Sequence, residues 1–131
     1  MNGVRPNAVL KKVAVSTAVV AILVILLWNY STVRTIARWS LWSREYKSSV
    51  MAQSTTENGE LKHIEWDGWG WGGQDTTVYL VFDPTDSLSA ARSNQPGKFR
   101  GIPCEVPSVR RMERHWYTVQ FYTNESWENC N

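Results

Sequence analysis

No acidic side chain occurs before Glu45, and between Val13 and Val33 there is no charge of either sign. An uncharged run of 21 residues is not a solvated surface helix. At about 1.5 Å rise per residue it makes a rod of roughly 30 Å, the thickness of a bilayer's hydrocarbon core. Cysteine is scarce as well. Cys104 and Cys130 are the only two, and their separation fits neither a CxxC redox pair nor a zinc site. The two histidines, His63 and His115, have no second ligand at helical or hairpin spacing. No GxGxxG or GK[ST] pattern cradles a phosphate, and no acidic spacing matches an EF-hand. Paired carboxylates for glycoside hydrolysis need a cleft that so small a domain does not form alone. A thiol nucleophile at Cys104 served by either histidine needs more than residue type to define it. No metal, no cofactor and no enzymatic activity are therefore expected.

What is present is an apolar anchor. Ala18 to Trp28 is apolar at every position. Arg5, Lys11 and Lys12 precede it, as they would a signal peptide, but the only plausible cleavage triplet, Thr35-Ile36-Ala37, lies well beyond the apolar centre and follows Arg34, which favours a retained signal-anchor. Lys and Arg flank the run almost equally, with Arg34, Arg38, Arg44 and Lys47 on the far side. The short leading tail and the two cysteines, which can pair in an oxidising space, place the N-terminus in the cytoplasm and the C-terminal part outside it, periplasmic or extracellular.

Charge divides the chain. Residues 1–52 carry seven Lys or Arg against one acid, a net +6, whereas 53–131 carry seven against eleven, a net −4. The basic part suits lipid headgroups, and the acidic part argues against nucleic acid as a partner. The group Arg110, Arg111 and Arg114 reads as a solvated face.

From Asn29 to Gln53 neither Gly nor Pro interrupts a helix, and Ile36, Trp39, Tyr46 and Val50, bordered by Trp42, form an aromatic stripe. Trp39 and Trp42 suit the membrane interface, and together with Tyr46 they offer a surface for a protein partner or a second copy. A polar stretch, Gln53 to Gly59, reads as a linker.

Strands are predicted at Leu61–Trp66 and Thr76–Phe82, the latter apolar on both faces as a central strand would be, and in a hairpin of Val106–Met112 and Trp116–Tyr122. Pro107 puts the first hairpin arm at an edge or bulge. Asp83-Pro84-Thr85-Asp86 resembles a helix start with Asp83 as N-cap, opening a short helix through Leu88. Between the first two strands, Trp66-Asp67-Gly68-Trp69-Gly70-Trp71-Gly72-Gly73 reads as a turn. Its indoles either fold over a small core or remain exposed, with Trp69 and Trp71 able to grip a protein or stack on a glycan. Cys104 and Cys130 are expected to form a structural disulfide.

The expected architecture is α+β. A short basic cytoplasmic tail covers 1–12, a single transmembrane helix 13–33, and an amphipathic juxtamembrane stalk helix with linker 34–56. A small antiparallel β-sheet domain with one short helix completes it over 57–131. The expected function is a single-pass membrane protein whose outer domain binds a protein partner, as in an envelope complex, with glycan binding or tethered hydrolysis as the alternatives.

Overall fold

The computed structural model describes residues 6–54, 59–71, 74–92 and 95–130. The basic residue Arg5, most of the expected linker (Thr55 to Asn58) and Gly72-Gly73 lie outside the described residues. The fold is α+β, with two helices followed by an antiparallel sheet. It divides into two compact units, Met1–Leu41 and Trp42–Asn131.

The first helix, α1, spans Pro6–Trp28. Its segment Leu10–Trp28, with mean hydropathy 2.3, is long and apolar enough to cross a membrane, and none of it is buried inside the protein. The apolar helix thus begins and ends earlier than the 13–33 read from charge. Lys11 and Lys12 continue a helix readily. At the other end Asn29 Nδ2 donates to the Ile25 carbonyl at 2.9 Å, the local bonding by which Asn competes with helical ladders. Thr17 satisfies its hydroxyl within the helix by donating to the Val13 carbonyl, also at 2.9 Å. The helix resumes as α2, Tyr30–Met51.

In the second unit, β1 (Lys62–Trp71) pairs with β2 (Gln74–Phe82). A single 3-10 turn, Ser87–Ala90, and the two-residue strands β3 (Gly97–Lys98) and β4 (Glu105–Val106) follow. Then come β5 (Ser108–Glu113) and β6 (Trp116–Gln120). The four long strands form one sheet in the order β1-β2-β6-β5. The central position of β2 follows from its β-branched and aromatic residues, buried on both faces from Val78 to Val81. The β5–β6 hairpin turns at Arg114 and His115, with His115 at φ 69°, and Pro107 separates β4 from the edge strand β5, as its missing donor requires.

Each face of the sheet has a cover. On one, Tyr79, Val81, Val109, Tyr117, Val119 and Phe121 pack under Leu88 of the 3-10 turn, Val106 of β4 and the loop residues Ile102, Cys104 and Trp127. On the other, Leu80 and Val78 are buried alongside the last turns of α2. There Tyr46 meets Trp66 edge-on at 6.1 Å, Lys47 lies 5.7 Å over the Trp116 ring and pairs with Glu113, and Val50 is wholly buried. Side chains of this size stabilise by about 1.5 to 3 kcal/mol each on full burial. Gly101 is obligatory: its φ is +82°, and a Cβ there would strike Leu61 Cγ at 2.7 Å while the Gly101 carbonyl accepts the Leu61 N–H.

The expected helix start at Asp83 is corrected. The 3-10 turn begins four residues later, at Ser87, because Asp86 adopts a left-handed conformation (φ 56°) and makes no capping bond. Asp83 instead ties the turn together from a distance, accepting bonds from Thr85 N and Oγ1, Ser87 Oγ and Leu88 N at 2.7 to 2.9 Å.

Candidate functional site: an aromatic sheet face

The Trp-Gly stretch is not a loose turn. It is the second half of β1, paired residue by residue from Asp67↔Val78 to Trp71↔Gln74. The pairing slips by one residue between Glu65 and Asp67. This bulge decides where the indoles go. In unbroken alternation Trp66 and Trp69 would occupy opposite faces of the sheet; the extra residue resets the phase, so that both share the face bearing Val78 and Leu80. Trp66 is 6% exposed beneath Tyr46, whereas Trp69 remains 50% exposed.

Beyond β6 the register continues, since the Phe121 N–H donates to the Thr77 carbonyl at 2.9 Å. That places Tyr122, 42% exposed, at the register position beside Thr76, which itself pairs with Trp69. One row across the sheet therefore reads Trp69, Thr76, Tyr122. The neighbouring row reads Asp67, Val78, Gln120, Ser108, where Ser108 Oγ donates to Gln120 Oε1 at 3.3 Å. Aromatic rings flanked by uncharged donors and a carboxylate can stack on one group while hydrogen-bonding its edges.

The other expected binding residues are distributed differently. Trp71 holds the register position opposite Gln74. Trp42 is 50% exposed on α2 in the second unit, Trp39 is half-buried on the same helix in the first, and Tyr46 is turned inward onto Trp66. Cys104 and Cys130 stand at disulfide distance, with Cα atoms 5.5 Å apart, so Cys104 offers no free thiol to either histidine. Among the described residues no group of three His, Cys, Asp or Glu is arranged to hold a metal ion.

Two polar groupings were not apparent as such in the sequence. Asp86 receives the Tyr117 hydroxyl, the His115 N–H at 3.0 Å and an Arg111 guanidinium N–H at 3.3 Å. The Tyr117 bond, then that of His115, holds the Asp86 carboxyl below its ordinary range. Burial, then the bond into Asp86, pushes the Tyr117 phenol up to about 12. His115 Nδ1 meets the Asp83 carbonyl at 3.0 Å, so this ring is a strut between β2 and the β5–β6 turn. Burial works to raise Asp83, but its bonds from Leu88, Thr85 and Ser87 outweigh that and leave its carboxyl below the usual range. In the second grouping His63 stacks on Trp127 with 3.7 Å between ring centroids, and the Trp127 indole N–H donates to Glu60 Oε2 at 2.9 Å. Burial depresses the His63 pKa despite its bond to the Leu61 carbonyl and the nearby Glu60 and Glu128.

Both groupings brace the fold. The aromatic row is the part that faces solvent, and its second ring, Tyr122, lay outside every predicted binding set because only strand register reveals it. Compared with known proteins, the chain matches no family model, no curated protein and no solved structure.

Proposed function

We propose that the chain is a single-pass membrane protein, anchored by α1, whose C-terminal domain is displayed outside the cytoplasm and acts by binding a protein partner within an envelope or membrane complex. The observation that carries the reading is the Leu10–Trp28 helix. Its side chains, among them Ile22, Leu23 and Leu26, are left uncovered by the described residues, an apolar surface far too large to leave in water. Outward display is supported by the cysteine pair, since disulfides persist in oxidising compartments. Partner binding is supported by the part of α2 in the second unit, where Trp42 remains 50% exposed and Arg44 adds charge two positions on.

The test is membrane fractionation joined to thiol labelling. The full-length protein should stay in the pellet after alkaline carbonate washing, and a membrane-impermeant maleimide should label intact cells only after reduction. A photo-crosslinking residue in place of Trp42 should then capture a discrete protein adduct. Release by carbonate removes the anchor; labelling confined to lysed cells reverses the orientation; no adduct, with anchoring intact, removes the partner surface on α2.

A further inference from the structure

We propose that the sheet face around Trp69 and Tyr122 is a binding site for an extended, uncharged polysaccharide, with the two rings as stacking platforms. The site rests on the outward display proposed above and is built from residues of the sheet and of the segment after β6, none of them on α2. Trp69 and Tyr122 are each exposed over about half their surface or a little less, at 50% and 42%, in a domain that buries Trp66, Trp116 and Trp127 almost completely. They occupy one row with Thr76 between them. Two inter-strand spacings separate the strand positions, about 10 Å, which is the length of a disaccharide in an extended chain.

The flanking chemistry selects the ligand class. Pyranose rings present apolar C–H faces bordered by hydroxyls, so they require a flat ring beneath and neutral or acidic hydrogen-bonding groups at the side. Thr76, Gln120 and Asp67 supply such groups, and Ser108 holds Gln120 Oε1, leaving its NH₂ group as a donor. Neither row contains Lys or Arg, which disfavours phosphate headgroups and nucleic acid. A protein hot spot wants an aromatic anchor within apolar packing; here the neighbours are polar. The bulge at Trp66 serves the site directly, because it turns Trp69 onto the face that Tyr122 occupies.

The experiment uses the full-length protein in neutral detergent micelles, incubated with chitin, cellulose and linear β-1,4-mannan, with heparin beads and phosphatidylcholine vesicles as counter-probes. Retention is expected on at least one of the three polymers, and soluble oligosaccharide of the same linkage should elute it. Trp69→Ala and Tyr122→Ala should each weaken retention roughly tenfold, as loss of one ring contact worth about 1.4 kcal/mol implies, while Trp69→Phe keeps most of it. Near-UV circular dichroism confirms that each variant is folded. The proposal is overturned if no polymer retains the wild type, if folded Trp69→Ala and Tyr122→Ala bind as well as wild type, or if heparin or vesicles compete equally. Because retention is measured in micelles, its failure is distinct from a failure of outward display, which the thiol labelling reads.

Discussion

A buried carboxylate is tolerated only when its lone pairs are filled, and Asp83 shows how a small domain manages this. Wholly buried, it accepts four bonds from the turn that follows it. Asp83→Ala leaves those donors without a partner and should cost about 2 to 4 kcal/mol in urea unfolding. The shifts also predict a pH profile. Asp83 and Asp86 are depressed in the folded state, so the stability they contribute is complete above their unfolded value, about pH 4, and drains away as pH falls through the folded values. His63 is likewise depressed and adds a loss that begins on acidification below about pH 6.5. Tyr117 works in the opposite direction. Its folded value of about 12 lies above the unfolded value near 10, so its contribution is complete below about pH 10 and disappears as pH rises toward 12. Unfolding free energies measured from pH 3 to 12 should decline at both ends, and Tyr117→Phe should flatten the alkaline limb and, by removing the largest bond to Asp86, also shrink the acidic one. A wild-type curve that is level above pH 10 would contradict this.

At the scale of elements, periodicity was a good guide where burial was regular and a poor one where it was not. Thr76–Phe82 reads as a central strand because β-branched and aromatic residues alternate without gaps, and β2 is that strand. The hairpin around His115 was equally plain. The Trp-Gly stretch misled because dense glycine signals a turn, yet Gly68 and Gly70 alternate with Trp69 and Trp71 at the period of a strand. What hid the strand was the phase slip at Trp66, which single-sequence alternation does not register. The candidate site inherits the same difficulty. Trp69 was legible as a candidate binding aromatic whose exposure stayed open, but Tyr122 acquires its position only through pairing with distant β2. The helix predicted after Asp83 shrank to one turn because Asp86 is held left-handed by bonds from Tyr117 and His115, a tertiary demand invisible to local capping rules. Two measurements check the element interfaces. Replacing Cys104 and Cys130 by Ser opens a 26-residue separation and should cost about 3 to 4 kcal/mol. Val50→Ala, at the point where α2 meets the sheet, should cost about 1 to 3 kcal/mol; thermal unfolding followed by far-UV circular dichroism reads both.

For the molecule as a whole, the expected membrane attachment depends on one helix, so its disruption should be graded rather than diffuse. A central Arg in an apolar span costs about 2.5 to 3.5 kcal/mol for insertion. Ile22→Arg should therefore reduce the carbonate-resistant fraction, and Ile22→Arg with Leu26→Arg should abolish it, while Trp69→Ala leaves it unchanged. Equal retention of all three variants would show that something other than α1 holds the protein in the pellet.

The β1–β2 ribbon reaches past the rest of the sheet: β6 pairs with β2 only from Val78 to Phe82, with one further bond at Thr77 that sets Tyr122 beside Thr76, so among the described strands none flanks Gln74 and Asp75. Such an overhang is a ready template for intermolecular strand addition. The exposed Asp75 acts there as a gatekeeper, since two copies docking edge to edge would bring like charges together. Replacing Asp75 with Val should lower the concentration at which concentrated stocks turn turbid or bind thioflavin, even with the native fold and its melting temperature intact.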